Sequence, residues 1–138
     1  MRLQITRSTD VAVRVLRALS TGERVQASEL AETVGSTAGF VRQVVMPLVG
    51  NGWVDSSPGP AGGYRARVKL SAISMLDVIE AIEGPTDTAQ CVLQGGPCPG
   101  VVPCSLHDPW VHARDDMLKR LARTSLATPP RRATGTLR

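Results

Sequence analysis

Three cysteines and a histidine are the residues of this 138-residue chain best suited to chemistry. They follow the spacing Cys91-x6-Cys98-x5-Cys104-x2-His107. Thiolates bind soft and borderline metals, and imidazole is a common fourth ligand. The stretch over 85–103 is rich in Gly and Pro, so it can wrap around one centre without breaking helical hydrogen bonds. A helix-free stretch of that length in a small domain is usually functional or disordered. Three is an odd number of cysteines, and their crowding into one segment argues for metal or redox chemistry over a disulfide framework. Zinc accounts for three Cys and one His, although the Cys-x2-Cys pair usual in zinc knuckles is missing. An iron–sulfur cluster tolerates the wider spacings, because its ligands are spread over several atoms. A thiol-redox device, in which two cysteines oxidise to a disulfide, is the third reading. The sequence offers no nucleophile–base pair, phosphate loop or paired acids, so an enzyme is not expected.

The elements around this loop point to DNA. Residues 27–48 carry helix-turn-helix spacing. Counting Ala27 as one, Leu30 falls at four, Ala31 at five, Val34 at eight, Gly35 at nine, Val41 at fifteen and Val44 at eighteen. The motif needs a small residue where its helices cross, a residue tolerant of positive φ at the turn, and apolar residues on either side. Ser28 can cap the first of these helices, and Ser36 or Thr37 the second, with Phe40, Val41, Val44 and Val45 on its buried side. Pro47 removes a backbone donor, so that helix is expected to kink or finish there, with 50–52 as its exit. Short strands are expected over 53–56 and 64–68. The Gly/Pro-rich run between them reads as a wing, which lies along the DNA backbone or enters the minor groove.

A first helix is expected over 8–20, from Val11, Val15, Leu16 and Leu19 at helical spacing. Another is expected over 74–83, opened by a Ser74/Asp77 capping box and closed by Gly84. A last helix is expected from Asp108, with Pro109 in its first position, or from slightly earlier at Ser105. Its stripe of Trp110, Ala113, Met117 and Leu121 suits either dimerisation or burial within the monomer. The fold class is therefore mainly α with a small β-wing: a winged helix-turn-helix plus a long C-terminal dimerisation helix. The organisation reads as a DNA-binding domain over 1–84, a cysteine-rich cluster-binding loop over 85–107, the dimerisation helix over 108–126 and a flexible tail over 127–138.

The net charge of +4 is compatible with DNA. Arg131, Arg132 and Arg138 lie in the tail, so the remainder is close to neutral. No run approaches the ~18 apolar residues of a membrane span, and Met1-Arg2-Leu3-Gln4 leads into no signal-peptide core. A cytoplasmic location without membrane attachment is expected, where thiols stay reduced. On the second helix of the motif, Ser36, Thr37, Arg42 and Gln43 are the major-groove candidates. Gln43 can donate to and accept from an adenine; Arg42 can donate to a guanine or, equally, to a phosphate. Gly62, Gly63 and Tyr64 are candidates for the DNA backbone.

These features together resemble the Rrf-two family of bacterial transcription regulators. The matching pieces are Met1-Arg2-Leu3, Leu30-Ala31-Glu32, Pro58-Gly59-Pro60-Ala61-Gly62-Gly63-Tyr64, Leu76-Asp77-Val78-Ile79-Glu80-Ala81-Ile82-Glu83-Gly84, and the cysteine run through Trp110. The resemblance implies a homodimeric repressor on a palindromic double-stranded operator. It also implies a C-terminal helix crossing between subunits, and a cluster that sets DNA affinity in response to iron, redox state or nitric oxide. Some members ligate the cluster with three Cys and a His, which maps onto His107 and a 2Fe–2S cluster. Others use an Asp from the partner's first helix, which maps onto Asp10 and a 4Fe–4S cluster. The intact Cys104-x2-His107-x2-Trp110 pattern favours His107. A zinc-stabilised or thiol-redox regulator of the same fold is the alternative. Pro58 stands where many members carry a wing arginine, Pro47 is unusual in the recognition helix, and the ending Ser125-Leu126-Ala127-Thr128 departs from the family pattern, so no operator sequence is carried over.

Overall fold

The computed structural model describes residues 3–86, 90–93, 96 and 104–129. Cys98, the first two residues, and the tail from 130 with its arginines lie outside them.

Helix α1 (Arg7–Ala18) is capped by Thr6, whose hydroxyl accepts from the Thr9 backbone N–H at 3.3 Å. Its expected apolar stripe is fully used: Val11, Val15, Leu16 and Leu19 are all buried. A 3-10 turn and Gly22 close it. Helix α2 (Ala27–Val34) begins earlier than a Ser28 cap allows; Gln26 is the cap residue, and its side chain makes no cap bond. Gly35, at φ 66°, ends α2 as expected. The N–H groups of Gly35 and Ser36 both reach the Ala31 carbonyl, the latter at 2.9 Å, closing the last turn.

Helix α3 (Ala38–Gly50) does not finish at Pro47; it continues to Gly50. The acceptor that proline orphans belongs to Gln43, an exposed residue, where water can take the donor's place. The last turn is closed by Asn51, whose backbone N–H and side-chain amide both donate to the Pro47 carbonyl, at 3.0 and 2.7 Å. Val41, Val44, Val45 and Leu48 are buried, whereas Phe40 is only half-buried. Helices α2 and α3 pack on α1 and on each other, with Leu30, Ala31 and Val34 completing the core.

Strands β1 (Val54–Ser57) and β2 (Gly63–Ala66) pair antiparallel, with Val54 opposite Ala66 and Ser57 opposite Gly63. β1 is shifted by one residue from its expected span, and β2 starts one residue earlier and ends two residues sooner than expected. A third strand of a single residue was not legible: Val25 exchanges two backbone bonds with Tyr64, both 2.8 Å.

Helix α4 (Met75–Glu83) carries the full Ser74/Asp77 capping box, at 3.1 and 2.8 Å. Its last residue ties it to α1. Glu83 Oε1 accepts from the Thr6 backbone N–H at 2.8 Å and from the fully buried Thr9 hydroxyl at 2.5 Å. Burial works to raise the Glu83 carboxyl, but the bonds from Thr9 and Thr6 outweigh it and hold it below its ordinary value of 4.5.

Helix α5 (His107–Arg123) starts one residue before Asp108, on Leu106, which makes no side-chain cap bond. His107 is therefore helical, not part of the loop. The helix also stops at Arg123, short of residue 126. The segment beyond it, through Thr128, is docked on the domain instead of forming a flexible tail. The Met75 N–H donates to the Thr124 carbonyl at 2.8 Å, and the Leu126 N–H to the Ile73 carbonyl at 2.9 Å. Arg17 donates to the carbonyls of Leu126 and Thr128. Leu126 is buried in the same core as α1. The degraded ending thus still supplies one large apolar anchor and its backbone pairing.

Leu126→Ala is expected to cost about 2–5 kcal/mol, the usual loss on emptying a buried leucine site. Urea unfolding measures this; a residue on a free tail would lose nothing. A depressed folded pKa contributes stability that is complete above the unfolded value and is lost as pH falls through the folded one. Glu83→Gln is therefore expected to shallow the decline of stability below about pH 4.5. Urea midpoints taken from pH 6 down to ~3 test this; an unchanged acid limb in the variant would exclude the Glu83 bonds as its source.

Candidate nucleic-acid interface and cysteine site

The face of α3 turned away from the core is formed by Gly39, Arg42, Gln43 and Met46, all exposed. Thr37 caps the helix, its hydroxyl accepting from the Phe40 N–H at 3.2 Å. The Ser36 hydroxyl is buried and has no hydrogen-bond partner among the described residues. Arg42 and Gln43 diverge by the helical rotation between neighbours. Gln43 lines a cleft of about 500 Å³ with Thr6, Pro47 and Glu83. Arg42 lines a second, of about 370 Å³, with Ser56 and Tyr64 of the wing.

The wing is fastened from the segment between α1 and α2. Beside the Val25–Tyr64 pairing, Arg24 donates to the Gly63 carbonyl at 2.9 Å and to Asp55 Oδ2 at 2.5 Å. The bond from Arg24 holds the Asp55 carboxyl below its ordinary value, against a smaller effect of burial; Arg65 and Arg67 add to it. Gln26 donates to the Pro60 carbonyl at 2.5 Å. The two candidate wing glycines are needed by the chain itself. A Cβ at Gly62 would overlap the Ser57 carbonyl, and one at Gly63 would lie 2.5 Å from the Val25 carbonyl, at a φ of +123°. Gly62 is buried, whereas Gly63 and Tyr64 are half-buried.

Two residues at this surface were missed in the sequence. Met46 is 72% exposed. It stands one turn beyond Arg42, so extending the Arg42 face by four residues would have found it. Arg7 lies 5.5 Å from the centre of the Phe40 ring, a cation–π contact that sets a positive charge beside the start of α3. Only the tertiary packing of α1 on α3 shows it.

At the cysteine loop, Cys91 and Cys104 are half-buried. The Cys91 N–H donates to the Gly96 carbonyl. The Cys104 carbonyl accepts from the His107 N–H at 3.0 Å, so the last cysteine and the half-buried histidine share one turn at the start of α5. Among the described residues no group of three or more ligating side chains is gathered. Asp10, also half-buried, is engaged within its own helix: Arg14 reaches both of its oxygens, at 3.0 and 3.3 Å. None of the α5 side chains is buried. Leu3, Trp110, Ala113, Met117 and Leu118 line an apolar cleft of about 520 Å³ along it. Among the described residues, no helix is long and apolar enough to cross a membrane.

This architecture is shared with known proteins. The chain is similar to the regulator CymR of B. subtilis (TM-score 0.72, 23% identity, 91% of this chain and 94% of that one). It is also similar to T. potens IscR (TM-score 0.71, 20% identity, 91% and 84%). In sequence it is 31% identical over 109 residues to the HTH-type transcriptional regulator IscR of Escherichia coli, covering 79% of this chain and 64% of the relative. The chain therefore spans less than two thirds of the length of that relative. Residues 5–128 match the family described as "Rrf2: Iron-dependent Transcriptional regulator". The wing, the two helices before it and the cysteine-bearing segment all fall within that match, and the chain belongs to the Rrf2 family of transcriptional regulators.

Proposed function

We propose that this regulator is a homodimeric repressor that reads a palindromic operator with α3 and the wing, and that an iron–sulfur cluster held by the cysteine loop sets its affinity for DNA. The observation that carries the DNA reading is the exposed face of α3, with Arg42 and Gln43 beside a wing fastened by Arg24, Val25 and Gln26. An exposed recognition helix next to a rigid hairpin suits a major groove and its flanking backbone. Thr37, Arg42 and Gln43 are the groove-side groups; Gly63 and Tyr64 lie at the backbone side. Ser36, at the turn before α3, and Gly62, in the wing, stand beside them as the remaining candidates.

The donor set fits a cluster. Two half-buried thiols, with a helical histidine in the turn of the second, offer soft ligands within reach of solvent. Cys91, Cys98 and Cys104 would hold the iron. His107 is favoured as the fourth ligand and a 2Fe–2S cluster with it, because it shares a turn with Cys104 in the intact Cys104-x2-His107-x2-Trp110 pattern; Asp10 and a 4Fe–4S cluster are the alternative. When bound, the cluster supplies a centre that iron supply, oxidants or nitric oxide can alter. Dimerisation is supported by α5. This helix of 17 residues has no fully buried side chain, and its apolar cleft and exposed Met117 offer a face that a second copy could cover.

Anaerobic purification followed by absorption spectroscopy and iron and acid-labile sulfide assays tests the cofactor. A coloured protein with matched iron and sulfide is expected, lost in Cys104→Ser and depleted in His107→Ala. A colourless protein, still lacking iron and sulfide after reconstitution, would leave zinc or bare thiols on the same fold. For DNA, Arg42→Ala is expected to lose about 1–3 kcal/mol of discrimination between operator variants. Equal weakening on every duplex would make Arg42 a phosphate contact.

A further inference from the structure

The apolar half of α3 has no part in the roles given to Arg42 and Gln43. Over 44–50 the sequence is Val-Val-Met-Pro-Leu-Val-Gly, with no hydroxyl, amide or charged side chain. Asn51, the next polar residue, turns its amide back to the Pro47 carbonyl. This half of the helix therefore has no side chain that can read a base edge by strong hydrogen bonds. Yet Met46 is the most exposed of the large apolar side chains among the described residues, at 72%, and Val49 is 37% exposed. Met46 lies one helical turn from Arg42, on the same face. Together with Val49 and Tyr64 these two line the cleft between α3 and the wing. Arg42 is the single charged residue over 36–54, and that stretch contains no acid. Over these residues the surface is therefore apolar and positive, and the nearby acid of the wing, Asp55, is paired with Arg24.

The major-groove edges of the bases offer one apolar group, the 5-methyl of thymine. We propose that Met46 is a specificity-determining residue that packs on a thymine methyl in a base pair near the one Arg42 addresses. The inference rests on the DNA-binding reading above. It explains why a flexible, polarisable side chain stands in water beside a guanidinium: methionine fits an irregular apolar contact that a branched residue would meet less readily. Wing-side Tyr64 closes the other wall of the cleft.

The test uses the full chain, purified anaerobically. Binding sequences are first enriched from a randomised duplex library. Each thymine of the enriched site is then replaced by deoxyuridine, which removes the methyl and leaves the hydrogen-bonding edge intact. Affinities are measured for the wild type, Met46→Ala and Met46→Leu. One thymine per half-site is expected to be sensitive, its replacement weakening the wild type about fourfold, the scale of one buried methyl group. Met46→Ala should bind the thymine site more weakly and respond to uracil there far less; Met46→Leu should retain the response. If uracil weakens Met46→Ala as much as the wild type at every position, the proposal fails while the DNA reading stands. If Met46→Ala instead changes the molar mass in solution, the face belongs to a protein contact and the proposal fails. If no sequence is enriched, the DNA reading falls and takes this inference with it.

Discussion

The buried flank of α1 is the surface on which α3 is set. Val11, Val15, Leu16 and Leu19 lie almost wholly out of water, and each such side chain contributes roughly 1.5–3 kcal/mol by burial. Helices α2, α3 and α4 all pack against this helix. Its polar edges are used as well. Thr9 at one end receives α4 through Glu83, and Arg17 at the other holds the segment after α5. Through one helix, the orientation of α3 is tied to both ends of the chain's C-terminal half. Packed interiors transmit displacements because they are close to crystalline density.

That arrangement defines where the cysteine loop meets the rest of the domain. The loop leaves α4 just after Glu83, whose carboxylate is bonded to Thr6 and Thr9. Glu80 secures the first residues of the loop through the Thr86 backbone N–H and hydroxyl, at 3.2 and 2.7 Å. At the far end the loop enters α5, and the residues after α5 pair with 73–75 at the start of α4. The cysteine-bearing segment is thus joined in sequence to the end of α4 and to α5, the two elements whose neighbours include the first turn of α1 and the start of α4. Gln43 of α3 lines the same cleft as Glu83 and Thr6, so the entry point of the loop and α3 share a surface.

The features legible in the sequence were those that local chemistry decides. Gly35 at a left-handed φ, the Ser74/Asp77 box and the apolar spacing over 27–44 each depend on neighbours a few residues away, and each stands as read. Pairings with distant partners left no local trace. Val25 falls in none of the elements expected from the sequence, and its partnership with Tyr64 exists only once the wing has folded back onto it. Leu126 lay in a segment rich in polar and small residues, and only its docking on Ile73 makes it core. Pro47 does not end its helix: of the two outcomes its missing donor allows, a finish is excluded because α3 runs on to Gly50, and the acceptor left without its donor belongs to exposed Gln43. Met46 was missed because an apolar residue at a solvent-facing helical position contradicts the binary pattern by which a core is recognised. Cys98 lies outside the described residues, so the sequence alone places three thiolates in one set.

Helix α5 brings the cysteine site and self-association into one physical problem. Its first residue, His107, is bonded through its backbone to Cys104, and a little less than a turn later its apolar face begins at Trp110 and runs through Met117. Met117 is 41% exposed in the single chain. A dimer that covers this face would fix the axis of the helix, and with it the position of His107 relative to Cys104 and the loop before it. Ligand geometry at a metal centre depends on such fixing, since the ligating groups are held only as firmly as the elements that carry them. The converse also holds: a centre bound at the head of α5 would anchor the turn that starts on Leu106 without a side-chain cap. On the proposed dimer, occupancy of the cysteine site and rigidity of the helix that joins the subunits would each favour the other. That reciprocity is a consequence of binding linkage, because whatever prefers the ordered helix stabilises it in proportion to that preference.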